Sequence, residues 1–191
     1  FWQEDVGLPF DHLGKLGGGV HQLRHHMNGS ILKLNAARDP LPDEPPSGYQ
    51  ELLIATEGLS EVRRLTDPDG NRVTLVPPGT DGITGIEIKL GVRDPKAFQD
   101  FYGRVLELSP EGDGAFRAGS SRISFVHDPN ADYVGNWRSP GYRYLTIQVY
   151  KADQEHTNIL ARGGTEGQKP QTIGTTARYS FVRDPDGNWI E

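Results

Sequence analysis

The sequence predicts an α+β fold of tandem βαβββ modules forming curved mixed sheets around a cavity. It predicts two such units per chain, the first incomplete. Three observations carry this. Five landmarks recur along the chain in one order. Gly and Pro supply 24 and 14 of the 191 residues, which favours many turns and short elements over long helices. Apolar residues make up 35% of the chain, with three Trp, seven Tyr and seven Phe, enough to fill a core.

The landmarks are these. Phe1-Trp2 with Val6 and Leu8 resembles Phe101-Tyr102 with Leu106 and Leu108. Gly29-Ser30 resembles Gly119-Ser120, and Asp39-Pro40 resembles Asp128-Pro129. Gly48-Tyr49 recurs as Gly141-Tyr142. Asp67-Pro68-Asp69-Gly70-Asn71 recurs letter for letter as Asp184-Pro185-Asp186-Gly187-Asn188. One such turn alone is ordinary turn chemistry, but five ordered matches point to duplication. The spacing widens from 93 to 117 residues between the last two landmarks. The first copy therefore lacks about a helix plus a strand there. Both ends look clipped: Phe1-Trp2-Gln3 reads as the middle of a helix, and Glu191 falls inside a strand. The expected division is a first unit over 1–77, a linker over 78–82 and a nearly complete second unit over 83–191.

The second copy reads in order. Ile83 to Val92 is a strand. Asp94-Pro95 opens a helix, with Asp94 suited to the N-cap and Pro95 to the first helical position. Phe98, Phe101, Tyr102, Val105 and Leu106 recur at three- and four-residue spacing, giving one apolar face. Phe116 to Val126 holds two short strands around Gly119. Tyr142 to Tyr150 is a strand, and Ala152 to Arg162 is a helix stopped by Gly163-Gly164. Thr175 to Arg183 and Asn188 to Glu191 are strands joined by the repeated turn.

Composition excludes several classes. The chain has no cysteine, so a disulfide scaffold, a Cys zinc site and a thiol nucleophile are ruled out, and a cytoplasmic location is expected. The net charge is −6 with no basic block, so nucleic acid is not an expected partner. No apolar stretch approaches the ~20 residues of a membrane helix, so no membrane partner is expected. Gly17-Gly18-Gly19 precedes a strand rather than a helix, which favours a tight strand entry over phosphate binding.

Two segments carry a family resemblance: Val92-Arg93-Asp94 with Phe101 to Leu106, and Phe181 to Glu191. Together with the first-copy turn, they resemble the vicinal oxygen chelate superfamily, which includes glyoxalase I, extradiol dioxygenases and bleomycin resistance proteins. The resemblance implies a metal ion bonded to two adjacent oxygens of a substrate and acting as a Lewis acid. Its ligand positions fall on Glu87 in the first strand, Tyr144 in the fifth and Glu191 in the last. Tyr144 departs from the family's usual His. In the first copy the matching positions are Glu51 and Thr74, and the first-strand position is missing.

The residues themselves give parallel readings. Glu191 should face the same side of its strand as Trp189. Glu87 points opposite Ile86 and Ile88. Tyr144 is a candidate ligand or proton donor, and Glu191 a candidate ligand and proton shuttle. Gln148, Trp189 and Tyr142 are candidate substrate-lining residues. Two carboxylates and a Tyr favour a hard divalent ion such as Mn, Mg, Fe or Ni. His21 and His25 share a strand face but stand about 13 Å apart, too far to share an ion.

The expected function is a metal-dependent lyase or isomerase acting on a small oxygen-rich molecule. The alternatives are a non-catalytic sequestering protein of the bleomycin-resistance type, with an aromatic cavity, and a ring-cleavage dioxygenase with an atypical metal site. A dioxygenase is disfavoured because Phe181 stands at its usual Tyr position. Self-association as a homodimer is part of the expectation.

Overall fold

A computed structural model describes residues 1–133, 135–175 and 177–191. It contains three sheets. The first holds β1 (Phe10–Gly17), β2 (Val20–Met27) and β3 (Ser30–Ala37), paired antiparallel in that order. Gly17, Gly18 and Gly19 turn β1 into β2 with φ of 83°, 57° and 78°. This is left-handed backbone that only glycine adopts freely, so the triplet makes a hairpin. Phe1 to Val6 forms a turn closed by Asp5 N–H and Val6 N–H on the Phe1 carbonyl.

The second sheet has seven strands. The sequence supplies β4 (Tyr49–Ala55), β5 (Arg63–Thr66), β6 (Arg72–Val76), β7 (Ile86–Val92), β8 (Ser109–Glu111), β9 (Ala115–Ala118) and β10 (Ser121–His127). Their spatial order is β5-β6-β4-β7-β10-β9-β8. β4 runs directly into β5 with no helix between them. β7 pairs antiparallel with β4 and parallel with β10, so this sheet crosses residues 78–82 and joins both halves of the sequence. The third sheet has the order β11-β14-β13-β12. Its members are β11 (Tyr144–Leu145), β12 (Thr165–Ile173), β13 (Ala177–Arg183) and β14 (Trp189–Ile190). Strand β12 is not anticipated by periodicity, because Gly167 and Pro170 interrupt it. The regular part of the strand expected from Tyr142 shrinks to β11, although Ile147 N–H still bonds the Glu191 carbonyl at 2.9 Å.

Helix α1 (Pro95–Asp100) begins as expected: the Asp94 carboxylate accepts from Lys96 N–H at 2.9 Å and Ala97 N–H at 3.3 Å. It continues as a π-helical turn, Phe101–Val105. Helix α2 (Ala152–Ala161) ends where Gly164 N–H caps the Ile159 carbonyl at 2.9 Å. Phe98, Phe101, Tyr102 and Val105 pack with Leu90, Ile123, Ile159, Val182 and Ile190 in one core. Trp2, Leu52, Ile54, Val73, Leu75 and Ile86 form a second.

The repeated segments clasp one another crosswise. In each turn the first Asp gathers the loop. Asp184 Oδ1 accepts from Asp186 N–H at 3.0 Å and Asn188 N–H at 2.8 Å, and Asp67 does the same for Asp69 and Asn71. Asn188 Oδ1 then accepts from Gly48 N–H at 2.7 Å, while Tyr49 O–H donates to the Trp189 carbonyl at 2.8 Å. Reciprocally, Asn71 Oδ1 accepts from Tyr142 N–H at 3.0 Å, and Tyr142 O–H donates to the Arg72 carbonyl at 3.2 Å. Each copy's Gly-Tyr thus docks on the other copy's turn. A Cβ on Gly48 would lie 2.5 Å from Asn188 Nδ2, so this approach requires glycine.

Asp184 is buried, and burial pushes its carboxyl up to about 6 against the pull of the Asn188 and Asp186 hydrogen bonds. The folded state therefore holds this proton more tightly than the unfolded chain. Its contribution is complete below pH ~3.8 and is lost as pH rises through about 6, an effect of roughly 3 kcal/mol. Urea unfolding from pH 4 to 7 should show this decline, and Asp184→Asn should remove it. A parallel profile in the variant would refute the assignment.

Candidate functional site

Strand alternation sorts each sheet into an apolar and a polar face. On β7, Ile86, Ile88 and Leu90 enter the cores, so Glu87 and Lys89 share the opposite face. Glu51 and Leu53 of β4, Thr74 of β6, and Arg122 and Ser124 of β10 lie on that same face. Glu87 is almost completely buried, at 2% exposure. Such a carboxylate needs a compensating charge. Arg122, its register partner on β10, donates to Oε2, and Ser124 donates to Oε1. Arg122 Nε also lies 3.8 Å from Glu111, which pairs with Arg117. Glu51 accepts from Thr74 at 2.5 Å and lies 3.7 Å from Lys89.

Glu191 lies in a different cluster. On β11, β13 and β14, Leu145, Val182 and Ile190 enter the core. Tyr144, Thr146, Phe181, Trp189 and Glu191 face the other way. Lys33 of β3 reaches Glu191 Oε2 at 2.6 Å, and Thr146 donates to the same oxygen at 2.5 Å. Asn35 Nδ2 donates to Tyr144 Oη at 3.0 Å. Phe181 is the hub of an aromatic wall. Its ring meets Tyr144 at 5.6 Å, Trp189 at 5.4 Å and Tyr179 at 5.9 Å edge-on, and stacks on Trp137 at 6.1 Å. A cleft of about 330 Å³ beside β3 is lined by Phe1, Trp2, Leu34, Asn35, Ala36 and the Asp67 turn.

Glu87 and Glu191, expected in one hollow, thus belong to different sheets and different polar clusters. No hydrogen bond or ion pair among the described residues joins them. Tyr144 sits with Glu191, not with Glu87. Burial pushes its hydroxyl above the ordinary phenol range, and Glu191 adds to this, while Asn35 and Arg24 act against it. This favours the neutral O–H form. Trp189 is buried under Arg183 and donates its indole N–H to the Gly135 carbonyl. The Tyr142 hydroxyl is held by the Arg72 carbonyl. Gln148 lines a separate open cleft of about 360 Å³ with Tyr150 and Gln154. Phe116 lies in the core. His25 is buried against Phe10, and burial lowers its pKa.

Lys33, Asn35, Arg122 and Ser124 escaped the sequence reading. Alternation places Lys33 and Asn35 opposite Leu32 and Leu34, and Arg122 and Ser124 opposite Ile123. That much signal was present.

Members of the implied family typically hold a divalent ion, so the donor set can be tested for one. Among the described residues, no group of three or more His, Asp or Glu is placed to bind an ion. Each candidate carboxylate already faces a protein cation: Arg122 for Glu87, Lys33 for Glu191 and Lys89 for Glu51. A divalent ion would have to sit beside a guanidinium or an ammonium, which Coulomb repulsion opposes. The residues present do not fit a metal.

This predicts the behaviour of Arg122. Arg122→Ala should cost about 3–5 kcal/mol in urea unfolding, because Glu87 is left buried and unpaired, whereas Glu87→Leu with Arg122→Leu should lose far less. A single variant costing under about 1 kcal/mol would show that Glu87 does not depend on the guanidinium.

No curated protein sequence matches the chain. Two crystal structures of glyoxalase I mutants from Zea mays share its fold. They have TM-scores of 0.74 and 0.73, each at 12% identity, covering 99% of this chain and 85% and 84% of theirs. An integron cassette protein from V. Cholerae is 26% identical, with a TM-score of 0.38, over 53% of this chain and 87% of its own. No helix of the described residues is long and apolar enough to cross a membrane. The glyoxalase/bleomycin resistance protein/dioxygenase family model matches residues 85–191, more than half of the sequence, and the chain belongs to that superfamily.

Proposed function

We propose that the chain is a metal-independent small-molecule-binding member of the superfamily, of the sequestering kind rather than a metal-dependent lyase or isomerase. The supporting observation is that Glu87 and Glu191 are each neutralised by a protein cation. The binding surface is the face shared by β3, β11, β13 and β14. Trp137 and Tyr179, packed on the buried ring of Phe181, give a planar molecule an aromatic wall. Tyr144 and Lys33 supply donors for oxygen atoms on that molecule. The Lys33 ammonium spends two of its three protons on Thr146 and Glu191. Glu191 holds Lys33 in place and keeps the surface close to neutral.

The test is a thermal-shift screen of small planar carboxylic and phenolic acids, run in excess EDTA. Ligands should stabilise the chelated protein. Tyr144→Phe should weaken them about tenfold, the worth of one hydrogen bond to a charged group, and Phe181→Ala should weaken them further. Binding or turnover that requires added metal and disappears with chelator would contradict this reading.

A further inference from the structure

Behind Tyr144 lies a chain of side chains that the binding surface does not itself need. Arg24 Nη1 donates to Gln22 Oε1 at 3.2 Å. Gln22 Nε2 donates to Asn35 Oδ1 at 3.0 Å. Asn35 Nδ2 donates to Tyr144 Oη at 3.0 Å. Gln22 and Asn35 face each other across β2 and β3, and Gln22 is buried.

The direction of this relay is fixed by chemistry. An amide's oxygen and nitrogen are hard to tell apart by shape, so direction must come from the network. A guanidinium only donates. The Gln22 atom facing Arg24 is therefore its carbonyl oxygen, and its amide nitrogen turns to Asn35. Asn35 must then present its oxygen to Gln22 and its nitrogen to Tyr144. The phenolic oxygen accepts, so its proton points away from the relay, toward the binding surface. Asp11 stands 3.7 Å from Arg24 Nε and steadies the charged end.

We infer that Arg24, Gln22 and Asn35 are positioning residues that hold Tyr144 as an outward donor, so that the site selects planar anions presenting a carboxylate oxygen. This rests on the binding surface proposed above. A ligand that must donate to Tyr144 would find its proton in the way. A carboxylate meets that proton, with the Lys33 ammonium 5.9 Å from the centre of the same ring. Hydrogen bonds donated in series reinforce one another.

The decisive variant is Gln22→Glu. Its carboxylate accepts from Arg24 and can only accept from Asn35. The Asn35 amide must then turn over and present oxygen to Tyr144, whose proton swings inward. Shape is preserved and Tyr144 is untouched. Protein labelled with ¹³Cζ-tyrosine, with Tyr144 assigned through Tyr144→Phe, reads this directly. Three results are expected. The Tyr144 resonance of the ligand-free protein differs between wild type and Gln22→Glu. Salicylate shifts that resonance in wild type, and its affinity falls at least tenfold in Gln22→Glu. Salicyl alcohol, which lacks the carboxylate, binds both proteins equally weakly. Gln22→Leu, which cuts the relay without adding charge, gives an intermediate loss and controls for the new carboxylate. An unchanged ligand-free resonance together with unchanged salicylate affinity in Gln22→Glu overturns the relay. A wild-type Tyr144 resonance that ignores salicylate while still differing in Gln22→Glu leaves the relay standing and overturns the carboxylate selection and the binding surface.

Discussion

The crosswise clasp is the constraint on which the rest of the molecule depends. Two copies of one turn could each have bonded their own copy's Gly-Tyr. Instead Asn188 holds Gly48, and Asn71 holds the amide of Tyr142, each across the chain. The Gly48 bond is buried and the Tyr142 bond partly so, and Gly48 leaves no space for a side chain. β4 also lies beside β7, and Tyr144 of β11 and Glu191 after β14 meet β3. The polar faces are therefore assembled from both copies, and neither copy owns a site.

That exchange decides the chemistry. Glu87 and Glu191 occur in one repeat of the sequence, yet the clasp sends them to separate sheets. Each then meets charges from strands that the local sequence does not name. Glu87 meets Arg122 on its own sheet, and Glu191 meets Lys33 from the other copy. A carboxylate with 2% exposure is tolerable only with such a partner. A guanidinium cross-linking two strands supplies the charge a divalent ion would otherwise bring. The proposed binding surface offers a ligand the Tyr144 hydroxyl, the Lys33 ammonium and the rings of Trp137 and Tyr179.

Much of the fold was legible in the sequence. The ordered landmarks exposed the duplication. Asp94-Pro95 marked the start of α1, and the glycine triplet marked a tight entry into β2, because both are local backbone chemistry; that the triplet closes a hairpin with β1 was not anticipated. The missing helix between β4 and β5 was visible as a change in repeat spacing. Strand β12 was not legible, since its Gly and Pro hide the alternation. The greater loss concerned partners. Two letter-identical turns cannot reveal which Gly-Tyr each one grips, so the convergence expected for Glu87 and Glu191 had no local check. Alternation placed Lys33, Asn35 and Arg122 on polar faces but could not say which strand lay opposite. Tyr144 was singled out as a ligand from its position alone. Only the structure shows the burial and the nearby Glu191 carboxylate that favour its neutral form.

The most direct measurement is a calorimetric titration of Mn²⁺ into the chelator-treated protein, with Glu87→Gln and Glu191→Gln alongside. The account predicts no stoichiometric ion in any of the three, because each carboxylate is already matched by a protein cation. One ion per chain in the wild type, lost in both variants, would require the two glutamates to converge on a single centre and would contradict it.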